Sequence, residues 1–419
     1  MGPPAIRRRF RLTPSHWIPV VLAAAVRFAY VAFAKHGEEV NGDQIYYSAQ
    51  ASVIARGHFF THPFFGGPAA DHPPLTSLLL APVDWIAPQS VFAQRLAMAS
   101  FGAVTVALIG TLTRRVTRSD RAAFAAGLVA ALNPNLWMND GLVMSETFTA
   151  LTVTTVLIAA YRYVDDPTRK NAAFAGVALG VAMLARAEIV ILGGFLLLAI
   201  GWIRRADKKQ VALGAVVAAG AALLAIAPWV AFNLARFERP TLLSNGDGLL
   251  LAGANCDATF YGGGIGFWSL ECADQRDPEA RDQSDTNALQ RRVALNYLKS
   301  HKGRLPVVMA AREGRLWGVY HPGRMIDFNQ GEGRERWASL LGVLTYWLLW
   351  PATIVGTVMV RRTNRPVSPL IATFAYAAVV AALFYGIFRF RLPADVAMTV
   401  LGGIALARLP LGMFRGHAR

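Results

Sequence analysis

Residues 338–360 read ASLLGVLTYWLLWPATIVGTVMV, and none of these 23 positions carries a charged side chain. An α-helix rises about 1.5 Å per residue, so a helix of this length can cross a hydrocarbon core of about 30 Å. A charge-free run of this length is typical of a membrane span. The stretch therefore predicts a transmembrane helix.

The same pattern recurs along the chain. Of 419 residues, 54% are hydrophobic and only 16% are charged, whereas about a quarter of an average soluble chain is charged. We predict an all-α polytopic membrane protein with about ten transmembrane helices, nine and eleven being the alternatives. The apolar runs lie at 17–34, 92–112, 122–138, 147–160, 172–185, 189–203, 211–233, 338–360, 368–388 and 396–411.

The basic residues are distributed unevenly between the two sides of the predicted membrane. If the N-terminus is cytoplasmic, six short inner segments hold 21 of the 42 lysines and arginines: 1–16, 113–121, 161–171, 204–210, 361–367 and 408–419. This asymmetry follows the positive-inside rule. It predicts a multi-pass protein of the plasma (inner) membrane, and it accounts for the net charge of +16 without a nucleic-acid partner.

Two outer segments are long enough to form structure of their own. We divide the chain into an N-terminal transmembrane core, 1–233, which includes the outer loop 35–90, an extracytoplasmic region of roughly 100 residues, 234–337, and a C-terminal transmembrane region, 338–419. Neither a Walker A motif nor a dinucleotide fingerprint is present, so ATP and NAD are not expected.

The first outer loop contains a predicted surface helix. Apolar residues recur every four positions over 43–56, and Gly57 ends the pattern. Asp43 opens this helix, where the helix dipole favours an ionised carboxylate, and Tyr46 and Tyr47 suit the lipid headgroup region. The alternative is that Asp43 serves only as a helix cap.

A rigid segment, Asp71-His72-Pro73-Pro74-Leu75, follows in the same loop. The paired prolines restrict the backbone and fix the direction of His72, and an apolar stretch then predicts a second surface helix. This arrangement suits the phosphate of a lipid-linked substrate; a solvated loop histidine is the alternative. A divalent metal held by Asp43 and these histidines is a further alternative, although the spacing of His36, His58, His62 and His72 matches no standard site.

Further charges lie at the outer ends of predicted helices. Glu146 begins one helix, Arg186 and Glu188 form most of a short connection, and Arg389 and Arg391 lie in another tight turn. A charge there costs free energy unless it is paired or hydrated, and arginine binds phosphate oxygens in bidentate fashion. We predict that these groups converge with Asp43 in one outer pocket. Helix capping by Ser145 and Glu146, and membrane anchoring by the arginines, are the alternatives.

The only two cysteines, Cys256 and Cys272, lie in the region 234–337 on either side of Tyr261 and three glycines. They are too few for a zinc ribbon or an iron–sulfur cluster. In an oxidising compartment a disulfide is the simplest interpretation, and closing about 17 residues stabilises the fold by roughly 3 kcal/mol. Such a glycine-rich loop would border the acceptor site. Two free thiols are the alternative.

Taken in order, these motifs resemble those of the GT-C superfamily of membrane glycosyltransferases, especially the family 39 and 83 group of protein mannosyltransferases and aminoarabinose transferases. The resemblance covers most of the chain. Asp43-Gln44 matches the family's acidic pair, and His72-Pro73-Pro74-Leu75 its Lys-Pro-Pro-Leu-like segment. Arg186-Ala187-Glu188 is similar to an Arg-Pro-Glu-type turn, and Arg389 to Pro393 to an Arg-x-Arg-x-Pro turn. Gln44 and His72 depart from the family's acid and lysine.

The resemblance implies a GT-C fold and transfer of a sugar from a polyprenyl-phosphate donor to a hydroxyl of a glycan, lipid or protein acceptor, with anomeric inversion, in the cell envelope. It implies catalytic roles for Asp43, as the base, and Glu146. Donor-phosphate contacts are expected from His72, Arg186, Arg389 and Arg391, and substrate-pocket contacts from Gln44, Tyr46, Tyr47, Glu188 and Tyr261. The alternatives are a transporter or lipid flippase, and a non-catalytic membrane subunit.

Overall fold

The computed structural model describes residues 14–275 and 278–408. This part of the chain is helical and contains no β-strand, with one isolated bridge between Thr61 and Pro68. The all-α fold class is therefore confirmed. The basic segments predicted at the two chain ends lie almost wholly outside the described residues.

The first ten helices occupy the predicted N-terminal transmembrane core with its predicted outer loop. They are α1 Pro14–Ala34, α2 Asp43–Ala55, α3 Leu75–Ile86, α4 Val91–Thr117, α5 Asp120–Leu132, α6 Pro134–Asp140, α7 Glu146–Asp165, α8 Arg169–Ala185, α9 Ile189–Ile203 and α10 Lys208–Leu234. The helix predicted over 43–56 is thus present as α2, and the apolar stretch after the prolines as α3.

Nine further helices follow. They are α11 Asp247–Ala254, α12 Asp257–Phe260, α13 Leu270–Ala273, α14 Gln283–Ser300, α15 Leu305–Leu316, α16 Pro322–Gly331, α17 Arg336–Arg362, α18 Ser368–Leu383 and α19 Leu392–Leu406. Short 3-10 turns lie at Gly262–Gly264, Lys302–Arg304 and Phe388–Arg391.

Each of the ten predicted apolar runs contains a helix, but these helices differ in length. Five helices of the described chain are long and apolar enough to cross a membrane: Trp17–Ala34, Val91–Thr117, Glu146–Asp165, Lys208–Leu234 and Arg336–Arg362. Three shorter apolar helices lie at Leu75–Ile86, Ile189–Ile203 and Ser368–Leu383. The count of about ten spans therefore stays a prediction.

The run 122–138 was expected to be one helix, and that expectation is wrong. α5 ends at Leu132, and Asn133 caps α6 by accepting a hydrogen bond from the backbone N–H of Asn135 at 3.0 Å. Pro134 takes the first helical position, where its missing N–H costs no hydrogen bond. Two apolar helices with a capped break between them replace the single span.

Glycine allows α8 and α10 to pack with their backbones in contact. A Cβ atom added at Gly176 would lie 2.1 Å from the carbonyl oxygen of Ala218, and one added at Gly180 would lie 2.7 Å from the Cβ of Ala225. Small residues permit this close approach between helices in membranes, where packing replaces the hydrophobic effect. The pair supports the connection that carries Arg186.

The region 234–337 covers one end of the helix bundle. Its backbone joins the first outer loop where the N–H of Asn245 donates to the carbonyl of Ala70 at 2.6 Å. It joins the C-terminal part where the N–H of Gly386 donates to the carbonyl of Gly266 at 2.9 Å. A disulfide links Cys256 to Cys272 within this region. The polar cluster described next lies at this covered end.

Candidate active site

A buried arginine forms the centre of the polar cluster. Arg389 lies in the 3-10 turn just before α19, and its side chain is only 10% exposed. Its Nη2 lies 2.9 Å from Oδ2 of Asp43, and its Nε lies 2.7 Å from Oε1 of Glu146. Its Nη1 donates to Glu332. One guanidinium group thus holds three carboxylates from distant parts of the chain.

Asp43 is the most open of these carboxylates. It is the first residue of α2, after Gly42, whose φ of 58° suits glycine, and its side chain is about one-third exposed. The side chain of Asp43 bonds Arg389, and α2 has no side-chain cap at its start. Burial raises the pKa of Asp43, but the charges of Arg389 and then His72 outweigh burial and hold that pKa below its ordinary value. The carboxylate is therefore ionised and accessible.

Glu146, in contrast to Asp43, is a carboxylate that is shielded from solvent. Its side chain is fully buried at the start of α7, where Ser145 makes no capping hydrogen bond. Besides Arg389, it contacts Arg186, whose Nη1 lies 3.3 Å from its Oε1. Arg186 also donates from Nε to Glu188 at 2.7 Å. Glu146 therefore fixes the positions of two arginines instead of facing solvent.

His72 and two tyrosines form the wall beside Asp43. The Nε2 atom of His72 lies 3.9 Å from Oδ1 of Asp43, and the His72 side chain is 30% exposed. Its ring stacks on Tyr47 at 4.7 Å between centroids and meets the edge of Tyr46 at 5.2 Å. The prolines after His72 start α3 and hold this ring in place. The result is a rigid, partly open polar wall.

The structure adds two residues that the sequence analysis did not single out, Glu332 and Arg334. Both lie in the short link between α16 and α17, and Gly333 between them has a φ of 90°. Arg334 pairs with Glu332 and donates from Nε to Asn139 at 2.9 Å. The available signal was a Gly-Glu-Gly-Arg run that is separated by three residues from the long apolar stretch at 338–360, which places charges at a predicted membrane edge, as at Glu146.

Two predicted pocket residues lie outside the open part of the cluster. Gln44 is fully buried, with Nε2 donating to the carbonyl of Glu332 at 3.0 Å and Oε1 accepting from the N–H of Val143 at 3.2 Å. Tyr261 is 44% exposed in the region 234–337, beside Arg304. Gln44 therefore ties the first outer loop to the link before α17, and Tyr261 belongs to a separate surface.

Arg391 does not join the cluster, contrary to the prediction. Its side chain is 1% exposed and donates from Nε to Asp395 at 3.0 Å, and its guanidinium lies 3.5 Å from the ring centroid of Tyr346. A 3-10 turn advances about 120° per residue, so residues two apart point in different directions. Arg389 therefore faces the cluster while Arg391 faces the helix packing.

We expect Arg391→Met to lower stability by about 3 kcal/mol without entering the chemistry, because it leaves Asp395 as an unpaired buried carboxylate. The double variant Arg391→Met with Asp395→Leu should recover most of this loss. Unfolding of the purified protein in detergent measures both effects. Loss of activity per folded molecule at unchanged stability would instead return Arg391 to the site.

The carboxylates of the cluster are already neutralised by arginine. In the described chain, no group of three or more His, Cys, Asp or Glu side chains is arranged to hold a metal ion. Asp43, Glu146 and Glu332 all contact Arg389 instead. The arrangement suits proton abstraction by Asp43 beside groups that attract an anion, namely His72 and Arg186.

One protein-family model matches part of the sequence. The family model for dolichyl-phosphate-mannose-protein mannosyltransferase matches residues 71–232, which is less than half of the chain. Among curated proteins, none matches at a significant level.

Three solved structures are similar to the chain. The oligosaccharyltransferase of Archaeoglobus fulgidus, in complex with Zn and sulfate, superposes with a TM-score of 0.52 and 16% identity over 94% of this chain and 49% of that chain. The S. cerevisiae Pmt1-Pmt2 protein O-mannosyltransferase bound to its sugar donor superposes with a TM-score of 0.44 and 18% identity over 57% of this chain and 36% of that chain. ArnT of Cupriavidus metallidurans bound to undecaprenyl phosphate superposes with a TM-score of 0.48 and 16% identity over 94% of this chain and 79% of that chain.

The chain thus spans about half or less of the first two of these proteins. The superposition on the archaeal enzyme confirms the predicted GT-C fold. The family model agrees with the predicted membrane glycosyltransferase and covers the segment that carries His72, Glu146, Arg186 and Glu188.

Proposed function

We propose that this chain, which has the GT-C fold, is a membrane glycosyltransferase that moves a sugar from a polyprenyl-phosphate donor to an acceptor hydroxyl at the outer face of the plasma membrane. The observation that carries the proposal is the placement of Asp43. It is an ionised, partly exposed carboxylate beside His72, at the covered end of a bundle of apolar helices.

The proposed step is a direct displacement at the anomeric carbon. The acceptor oxygen forms a bond to C1 as its proton passes to Asp43, and the bond from C1 to the phosphate oxygen breaks. The electron pair of that bond stays on the phosphate, which leaves as polyprenyl phosphate with one more negative charge. Such a leaving group needs no protonation, so one base is sufficient. Attack opposite the leaving group inverts the anomeric centre.

Exposure divides the charged residues by role. Arg389 uses all three of its nitrogens on carboxylates, and Glu146 is fully buried. We assign both to positioning Asp43. His72 is 30% exposed, and Arg186 is paired with carboxylates only through Nε and Nη1 in the described chain, so we assign these two residues to the donor phosphate. Preorganised hydrogen-bond donors of this kind stabilise growing charge in the transition state by several kcal/mol.

The opposite end of the bundle supports the proposed orientation. Arg115 lies 3.2 Å from Asp165 there, and Arg365 lies 2.8 Å from the same carboxylate. These residues belong to the basic connections that the positive-inside rule places in the cytoplasm. The Asp43 cluster lies at the other helix ends, which supports its assignment to the outer face.

The test uses purified full-length protein in liposomes. A polyprenyl-phosphate sugar and an envelope extract as acceptor source are supplied on one side, and release of polyprenyl phosphate together with labelled sugar on acceptor is measured. Accumulation of both products supports the proposal. Movement of the lipid donor across the bilayer without either product would favour a flippase instead.

We expect His72→Ala to raise the KM for the donor about tenfold and to lower kcat less, because it removes a hydrogen bond to phosphate worth about 1–2 kcal/mol. His72→Lys should restore most of the affinity. His58→Ala, an exposed histidine of the same loop, is the matched control and should behave as wild type. Unchanged donor KM in His72→Ala would remove His72 from the donor site.

A further inference from the structure

Three arginines surround the turn Gly262–Gly264, which lies inside the disulfide loop and is called the glycine turn below. Arg315 donates from Nε to the carbonyl of Ile265 at 2.7 Å and from Nη2 to that of Gly263 at 2.9 Å. Arg324 also donates to the carbonyl of Gly263. Arg304 lies over the ring of Tyr261 at 5.0 Å. All three arginines donate to backbone carbonyls, and aromatic rings flank Arg304 and Arg315.

Other arginines of the region 234–337 are paired differently. Arg239, Arg281, Arg291 and Arg336 each lie within 3 Å of an aspartate oxygen. In the described residues, Arg304, Arg315 and Arg324 have no carboxylate within ion-pair distance. Within the part of the chain that the structure describes, Arg236, Arg292 and Arg312 of the same region also have no carboxylate partner, but the glycine turn is where two such arginines, Arg315 and Arg324, donate to one carbonyl.

Arg315 is the most informative of the three because it is buried. Its side chain is 1% exposed between the rings of Phe267 and Tyr320, and its Nη1 has no hydrogen-bond partner in the described chain. Arg324 is exposed and brings a second positive charge to the same Gly263 carbonyl. A buried charge without a counter-charge is costly, and a second like charge adds to that cost. A bound anion would remove both penalties.

The glycine turn is connected directly to the proposed active site. Gly266 accepts the backbone hydrogen bond of Gly386, three residues before Arg389. At the end of α15, the carbonyl of Leu316 accepts from Nη1 of Arg391. Gly318, after the same helix, lies beside Phe388, which belongs to the 3-10 turn Phe388–Arg391. The segments that flank the glycine turn and carry Arg315 are therefore hydrogen-bonded to the segment that carries Arg389.

We propose that Arg315 and Arg324 form a binding site for an oxyanion, a phosphate or carboxylate, carried by the acceptor. Arg324 is exposed and contacts the anion from the solvent side, and Arg315 contacts it from the protein side. Arg304 and Tyr261 flank the entrance. The assignment of the anion to the acceptor rests on the proposed glycosyltransferase function, whereas the anion site itself does not.

The first experiment measures phosphate binding to the full-length protein in detergent. Thermal unfolding is followed as inorganic phosphate replaces chloride at constant ionic strength. We expect phosphate to stabilise wild type and the control Arg336→Gln equally, and Arg324→Gln to bind phosphate about tenfold more weakly. The proposal is overturned if wild type gains nothing from phosphate, or if Arg324→Gln matches wild type.

Charge reversal gives a second, independent readout. Arg324→Glu supplies the missing carboxylate within the chain, so it should unfold at a higher temperature than wild type in chloride and lose its response to phosphate at this site. Arg336→Glu, which reverses a paired surface charge, should unfold at a lower temperature. A lower unfolding temperature for Arg324→Glu would contradict the uncompensated charge on which the site depends.

Two further arms identify the source of the anion. In nanodiscs of phosphatidylcholine, a site for the acceptor predicts a higher acceptor KM in Arg324→Gln with an unchanged donor KM. If exchange for phosphatidylglycerol discs stabilises wild type but not Arg324→Gln, the anion is a lipid headgroup and the acceptor assignment fails. Because phosphate binding is measured without sugar transfer, the site can stand even if the transferase proposal falls.

Discussion

Asp43→Asn is expected to reduce sugar transfer about a thousandfold while leaving donor binding within a few-fold of wild type. The amide keeps the size of the side chain and can still accept a hydrogen bond from Arg389, but it cannot take up the acceptor proton. General-base catalysis is typically worth 10²–10⁴-fold. Initial rates and donor KM in proteoliposomes measure the two effects separately. Normal transfer by Asp43→Asn would exclude the base assignment.

The pH dependence offers a check on the same residue. Arg389 holds the pKa of Asp43 below its ordinary value of about 3.9, so the base stays ionised as the pH falls from about 7 to about 5. Protonation of Asp43 should therefore cause no loss of activity in this pH range. The associated stability is present above the ordinary pKa and is lost only as the pH falls through the lowered one. An acid limb near pH 6 that disappears in Asp43→Glu would contradict this.

Arg389→Gln should abolish transfer and also destabilise the protein by about 3–5 kcal/mol. The substitution leaves Glu146, which is fully buried, with Arg186 at 3.3 Å as its remaining ion pair. Removing one partner from a buried ion pair is costly because the other charge stays unpaired. Thermal unfolding in detergent and transfer in proteoliposomes are the two measurements.

A double variant separates these two effects. Arg389→Gln combined with Glu146→Gln should regain much of the stability but none of the activity, because Asp43 remains without its anchor. Arg336→Gln is the surface control, and its ion pair with Asp327 is worth only about 0–1 kcal/mol. A fully stable, active Arg389→Gln would show that the cluster is held by other contacts.

The helices were largely predictable because hydropathy is a local property. Each predicted apolar run contains a helix, and α2 begins at the predicted residue. The break at Asn133 and Pro134 was missed, although its signal was local, since asparagine followed by proline is a good helix start. Composition alone hides such a cap when the residues on both sides are apolar.

The site was predictable where charges stand alone at the ends of apolar runs. That pattern identified Glu146, Arg186 and Arg389, and the start of the predicted surface helix identified Asp43. The structure places these four residues together. Glu332 was missed although it lies near the start of an apolar run, because it is one of four charged residues at 332–336 and the sequence does not show which of them reaches Arg389. The direction in which the Arg391 side chain points depends on the backbone geometry of the 3-10 turn Phe388–Arg391.

The distance along the chain between the paired residues has a consequence for biogenesis. Asp43 and Arg389 are 346 positions apart, and translation at about 5–20 residues per second leaves roughly 20–70 seconds between their emergence from the ribosome. Under the proposed function, a nascent chain that is already inserted in the bilayer lacks the Asp43–Arg389 pair until synthesis is almost complete, and it should transfer no sugar before then. A chain truncated before Arg389 should therefore insert into the membrane but remain inactive.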